Sequence, residues 1–200
     1  MTAHNKRGVD SAISPLTYGG RTHNAARLMT ALAAPDTKIT ALSPERPSDA
    51  RLVEGLIDRA FGPGRYAKAA ERLREGARPL LALSFVAWRD GEAVGCVRLW
   101  SVRIGETPAL LLGPIAVEPA WRREGLGADL VRRAVAEATA AGAKVIVLVG
   151  DEPFFGPLGF SAPPARGVRM PGPVDQRRVM VRALVPGATR DLSGEVTRAA

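Results

Sequence analysis

The stretch from Ala109 to Gly150 limits the fold more than any other part of the chain. "ALLLGPIAV" at residues 109–117 is an apolar run broken only by Gly-Pro, and "KVIVLVG" at residues 144–150 is a second. Between them Leu126, Leu130, Ala134, Val135 and Ala138 form an apolar stripe over a helix predicted from Gly125 to Ala141. Arg132, Arg133 and Glu137 face water, and Gly142 is the stop. A strand, a helix and a strand of these lengths form a crossover unit, so the second strand lies parallel to the first. "KVIVLVG" has no polar alternation and reads as a strand covered on both faces.

The flanking sequence adds antiparallel strands. "LLALSFVAWRDGEAVGCVRLWSVRIGETPALLLGPIAVEP" reads as a three-strand meander, with Asp90-Gly91 as the first tight turn and Gly105 to Pro108 as the second. Upstream, "KITAL" alternates like a short strand. Pro47, Ser48 and Asp49 then open a helix whose face carries Leu52, Leu56 and Ala60, and a second helix is predicted from Arg65 to Glu75. Downstream come a short turn or helix at "EPFFGPLGF", a loop rich in Pro, Gly and Arg, and a last strand at "RRVMVRALV". The reading is one α/β domain over residues 37–187. Residues 1–36, with Met29 as an alternative start, are expected to be a disordered extension, and residues 188–200 a loose tail.

Composition narrows the chemistry. A net charge of +8 favours polyanionic partners: nucleic acid, anionic membrane or a phosphorylated cofactor. Nucleic acid is disfavoured, because aromatic residues make up only 5% and none interleave with basic ones. No apolar run approaches the roughly 20 residues that span a bilayer, so no membrane insertion is expected. The one cysteine, Cys96, excludes an internal disulfide, fits a reducing cytoplasm and is expected to be a buried structural thiol. His4 and His23 both fall in the N-terminal extension, which leaves no histidine base or metal site in the folded body, and no metal is expected.

"AWRREGLGADL" at residues 120–130 puts Arg122 and Arg123 at the positive end of the predicted helix, where cations are unfavourable. It holds no Ser, Thr, Asn or Asp at the N-cap position, and Gly125 and Gly127 keep side chains away from the first amides. These residues fit an anion site, and equally an ordinary helix start in which Glu124 offsets the arginines. Neither the GxxxxGK nor the dinucleotide glycine pattern is present.

Read with its neighbours, "IAVEPAWRREGLGADLVRRAV" resembles the acetyl-CoA signature of the GNAT superfamily of N-acetyltransferases, Q/R-x-x-G-x-G/A after a strand of the form L-x-V-x-P. Arg122, Gly125 and Gly127 meet it, with Ile115, Val117 and Glu118-Pro119 upstream. The wider run "LLGPIAVEP…VIVLVGDEPFFGPLGF" is similar to the YhbS-like branch, and the likeness covers about Lys38 to Val185. It implies the GNAT fold: a mixed, mostly antiparallel sheet of about six to seven strands, about four flanking helices and one central parallel pair.

The resemblance further implies a cytoplasmic acyltransferase that uses acetyl-CoA as co-substrate and acetylates an amine, on a small molecule or a protein, by direct attack. A homodimer is the candidate oligomer. Amides of Arg123, Glu124, Gly125, Leu126, Gly127 and Ala128 would hold the pyrophosphate, with Arg122 or Arg123 adding charge. Val117 would pair with pantetheine, and Pro114 would sit at the bulge where the strands split. Ile115 N–H takes the oxyanion position. The base is open: Leu111 stands where some relatives carry a glutamate, and Glu118, Asp151 and Glu152 are nearby candidates. Phe155 occupies the position of the family's tyrosine acid without its hydroxyl, and Phe154 and Phe155 line the cofactor channel or belong to the core. Trp88, Trp100 and Trp121 read as packing residues. An acetyl-CoA-sensing module that has lost its acid and base is the alternative.

Overall fold

The computed structural model describes residues 41–199. Its central feature is the predicted crossover: β4 (Thr107–Val117), α3 (Leu126–Ala140) and β5 (Val145–Val149), with β4 and β5 parallel. β2 (Phe85–Arg89) and β3 (Glu92–Ile104) precede β4 as an antiparallel meander. The turn at Asp90-Gly91 has both residues at positive φ, the conformation that a two-residue hairpin favours. β1 (Ala41–Pro44) pairs with β2, and β7 (Val179–Ala183) pairs antiparallel with β5, giving the order β1-β2-β3-β4-β5-β7.

Both faces of the sheet are covered. On one, α3 lays Leu126, Leu130, Val131, Ala134, Val135 and Ala138 against Val97, Leu99, Leu110, Leu112, Ile146 and Leu148. On the other, α1 (Ala50–Phe61) covers Val86, Cys96 and Ala116, while Val145, Val147 and Leu111 lie under a second apolar cluster. Burial pushes the Cys96 thiol up to about 12, so it stays protonated and serves as packing. Among the described residues no helix is long and apolar enough to cross a membrane.

Four expectations change. The buried face of α1 is Val53, Leu56 and Ile57, with Leu52 54% exposed: Leu56 lies on both candidate stripes, and the sheet takes the one that carries the β-branched pair. The helix predicted over residues 65–75 is instead a 3-10 turn at Pro63–Ala67 followed by α2 (Ala69–Arg72), because Lys68 is extended between them. The sheet has eight strands, exceeding the expected number by a short β6 (Gly167–Arg169) and by β8 (Ser193–Arg198).

β8 is the larger correction, because it lies in the expected loose tail. It runs antiparallel to the far half of β3, with Ile104 opposite Val196, and parallel to β6. Only Val196 of this strand is buried, so the pattern that betrays an amphipathic strand is nearly absent from its sequence. A Cβ on Gly194 would come within 2.7 Å of the Gly105 Cα, so the segment seats on the β3–β4 turn through glycine on both sides. Val196→Ala is expected to cost about 1–3 kcal/mol in urea unfolding, as a buried truncation does; an unchanged midpoint would mean that the segment contributes no core.

Candidate active site

β4 and β5 are paired only at Leu110–Ile146 and Leu111–Val147, and then part. The cause lies in β4. Leu112 faces Leu99 and Ile115 faces Val97, so Gly113 and Pro114 together oppose Arg98. Two residues against one make a bulge, and Pro114 brings no N–H to a ladder at that point. β5 meanwhile continues along β7, through Leu148–Met180 and Val149–Val179. A cleft of about 640 Å³ opens between the diverging ends, with Ile115 and Val117 on one wall and Val149 and Gly150 on the other.

The start of α3 borders this cleft. Its N-cap is Gly125 at φ 81, with no side-chain acceptor for the first turn. The amide of Ala128 is used within the turn, on Gly125 O at 2.9 Å, and that of Glu124 reaches Trp121 O at 3.4 Å. No partner among the described residues meets the amides of Arg123, Gly125, Leu126 and Gly127. Such donors at the positive end of a fifteen-residue helix are able to receive an anion. Arg122 anchors the loop by donating from Nε to Val117 O at 3.0 Å. Glu124 pairs with Arg89 at 3.3 Å, and the Arg89 guanidinium stacks 3.9 Å from the Trp121 ring centre, so the loop's own carboxylate is turned to the sheet. An anionic group beside an extended, strand-shaped slot is the ligand form that this arrangement accommodates.

A model of the acetyltransferase (GNAT) family matches residues 50–159. The chain belongs to the GNAT acetyltransferase family. It is 28% identical over 155 residues to the uncharacterised N-acetyltransferase YhbS of Escherichia coli K12, across 76% of this chain and 92% of YhbS. The crystal structure of E. coli YhbS in complex with CoA superposes with a TM-score of 0.69 at 25% identity, covering 80% of this chain and 89% of that one. A GNAT family acetyltransferase from Brucella melitensis, in complex with acetyl-CoA, gives a TM-score of 0.60 at 29% identity, covering 81% and 97%.

Within this GNAT site the residues singled out from sequence separate into groups. Ile115, Val117, Arg122, Gly125, Gly127 and Ala128 line the cleft. Leu126 is buried in the core beneath it, while the Arg123 side chain is exposed. Phe154 and Phe155 are also on the cleft wall, in an edge-to-face pair at 4.8 Å; Phe155 packs against the core as well, 5.9 Å from Phe160. Leu111, standing where some relatives carry a glutamate, is fully buried and apolar, and of the base candidates Glu118 is held by Arg59 at 2.7 Å. Glu152 is exposed at the start of α4 (Glu152–Phe155). Asp151 does line the cleft, 3.1 Å from Arg178.

The charged pair Glu71 and Arg74 escaped the sequence reading. It stands on the opposite wall at the bulge, Arg74 Nη1 lying 3.1 Å from Glu71 Oε2. Glu71 belongs to a four-residue helix with no motif, and its partner Arg74, whose Nη2 lies 3.1 Å from where a Cβ on Gly113 would stand, reaches the bulge only through the tertiary fold. Phe155 owes its seat to Gly150, where a Cβ would fall 2.1 Å from Phe155 Cε2. Gly150→Ala is expected to eject the ring and cost about 1–3 kcal/mol in chemical denaturation, the range for overpacking; an unchanged stability would mean that Phe155 does not depend on this contact.

Proposed function

We propose that the protein is an acetyl-CoA-dependent N-acetyltransferase that moves an acetyl group to an amine by direct attack. The observation that carries this is the gap between β4 and β5 ending at the uncapped start of α3. Acetyl-CoA fits the chemistry present: free amides at a helix N-terminus for the pyrophosphate, and the exposed edge of β4 beside Val117 for the extended pantetheine. The CoA and acetyl-CoA complexes of the E. coli and B. melitensis proteins support the same reading. A lone buried thiol agrees with action in a reducing cytoplasm.

In the reaction the amine nitrogen attacks the thioester carbonyl, the C–S bond breaks and coenzyme A leaves as a thiolate. The Ile115 N–H would donate to the developing oxyanion, a contact typically worth about 3 kcal/mol. The ammonium proton passes to a carboxylate of the cleft wall; Glu71 and Asp151 hold such positions, whereas Glu118 and Glu152 do not. Sulfur protonation has no side-chain acid at Phe155. A thiol of ordinary pKa near 8.5 leaves as thiolate and collects its proton from water.

Gly127→Glu tests the binding half of this reading. The new Cβ would stand 3.4 Å from Phe154 Cζ, inside the cleft, and would bring a carboxylate to the anion cradle. Coenzyme A affinity by calorimetry should fall tenfold or more, roughly 1.4 kcal/mol at least, with unchanged circular dichroism. Retained affinity would make the loop an ordinary helix start.

The chemical half turns on Phe155, the residue that favours a sensing module as the second reading. With acid catalysis typically worth about 10²–10⁴-fold and a good leaving group here, Phe155→Tyr should raise the single-turnover rate by at most about 10²-fold. A rate equal to the original, at unchanged coenzyme A affinity, would show that sulfur protonation is not limiting. No turnover by either protein across a broad amine panel would select the sensing module.

A further inference from the structure

A second cleft, of about 600 Å³, meets the first at the β4 bulge. Pro114, Ile57, Arg65, Glu71 and Arg74 line both, and the second continues past Glu54 to Arg98 and Glu45. None of the residues of the α3 loop lines it. It therefore reaches the reacting end of the first cleft from the side away from the anion cradle, which is the approach left to the acceptor.

Of the four arginines that line this second cleft Arg78 is exposed, and the other three differ in how the chain itself neutralises them. Arg98, almost fully buried, is held by Glu45 through Nη2 at 2.6 Å and Nε at 2.9 Å, and by Glu54 through Nη1. Arg65 pairs with Glu54 at 2.8 Å; its buried Nε also makes no hydrogen bond among the described residues, but it has the Asp58 carboxylate 3.2 Å away. Arg74 is satisfied on one side only. Its Nη1 donates to Glu71, while its buried Nε has no hydrogen-bond partner among the described residues. Nε shares an edge of the guanidinium with Nη2, and Nη2 lies 3.1 Å from where a Cβ on Gly113 would stand. The edge thus sits against the bulge, two residues from Ile115. The side chain is only 12% exposed, and burial, opposed by Glu71, draws its pKa below the usual guanidinium value. A buried donor left unpaired is costly, and the Nε/Nη2 edge of an arginine matches the two oxygens of a carboxylate in a side-on pair.

We infer that the acceptor is an amine that also bears a carboxylate, and that Arg74 selects it by a bidentate contact from its Nε/Nη2 edge. This rests on the acetyltransferase reading of the site. Glu71, on the other face of the same guanidinium, offers a carboxylate to the acceptor's ammonium, so a zwitterion meets both charges. It also disfavours a dianion: a phosphate on Arg74 would face Glu71 with twice the charge of a carboxylate.

The test pairs amino acids with their own carboxamides as acceptors for the full-length protein and acetyl-CoA, following coenzyme A release. The carboxylate members should be preferred at least about tenfold in kcat/KM, and Arg74→Gln should abolish the preference by raising KM for those members alone. Arg74→Lys, which keeps the charge and loses the edge, should recover only part of it. Coenzyme A affinity and melting temperature report whether each variant is folded. Should Arg74→Gln fail to fold, titration of the coenzyme A-loaded original protein with N-acetyl amino acids against their amides reads the same preference without a mutation. Equal handling of acids and amides by the original protein would overturn the inference and leave the transferase reading standing. An equal loss on both members in Arg74→Gln would assign the guanidinium to the acetyl group and also overturn it, as would tighter binding of the matched aminophosphonate. Failure of the original protein to bind coenzyme A would instead strike the reading on which the inference rests.

Discussion

The bulge at Gly113-Pro114 is the constraint on which the rest of the structure depends. Before it, Leu110 and Leu112 face α3 and Leu111 faces the opposite layer; after it, Ile115 and Val117 join the α3 side and Ala116 lies under α1. Even-numbered residues point one way up to Leu112, and odd-numbered ones point that way from Ile115. A strand has a side-chain period of two, so without the extra residue Ile115 and Val117 would be turned from the α3 core. The same irregularity ends the pairing with β5. Core packing and an open cleft therefore have one cause.

A sheet split at one end has to be closed on its other side, and here charge does much of that work. Opposite the bulge stands Arg98, whose side chain is 5% exposed and whose carboxylate partner Glu45 is 1% exposed. Burial works against ionised Glu54, but hydrogen bonds from Arg65 and Arg98 override it and hold its carboxyl below the usual range. Pairs of this kind add little net stability over an apolar replacement, because each ion gives up its hydration. Their value lies in geometry: Glu45 follows β1, Glu54 is on α1 and Arg65 precedes α2, so the pairs tie three successive segments to β3 opposite the bulge. Arg74 extends that polar layer to the cleft, where its partner set is incomplete.

Much of this fold, and the uncapped loop before α3, was legible in the sequence, for local reasons. The α3 stripe repeats at helical spacing, Asp90-Gly91 is a turn dipeptide with its own backbone preference, and the loop before α3 lacks any capping side chain. Each can be read within a few residues, and together with the glycine spacing of the signature they led to the family. β8 could not be read in this way: it contains one buried residue, and it is a strand because β3 offers an unpaired edge beyond the end of β2. The buried stripe of α1 was likewise settled by what the sheet presented to it.

The sequence by itself determined the crossover unit, the family and the loop without a capping side chain, because periodicity, turn chemistry and capping act between residues close along the chain. Only the tertiary structure decided which charged groups face the cleft at the bulge. Glu71 and Arg74 stand some forty residues from Gly113 in sequence, in a segment whose short helix carries no period to mark it. Coulombic and hydrogen-bonding partners are chosen by distance through space, and the packing of Arg74 against the bulge sets that distance.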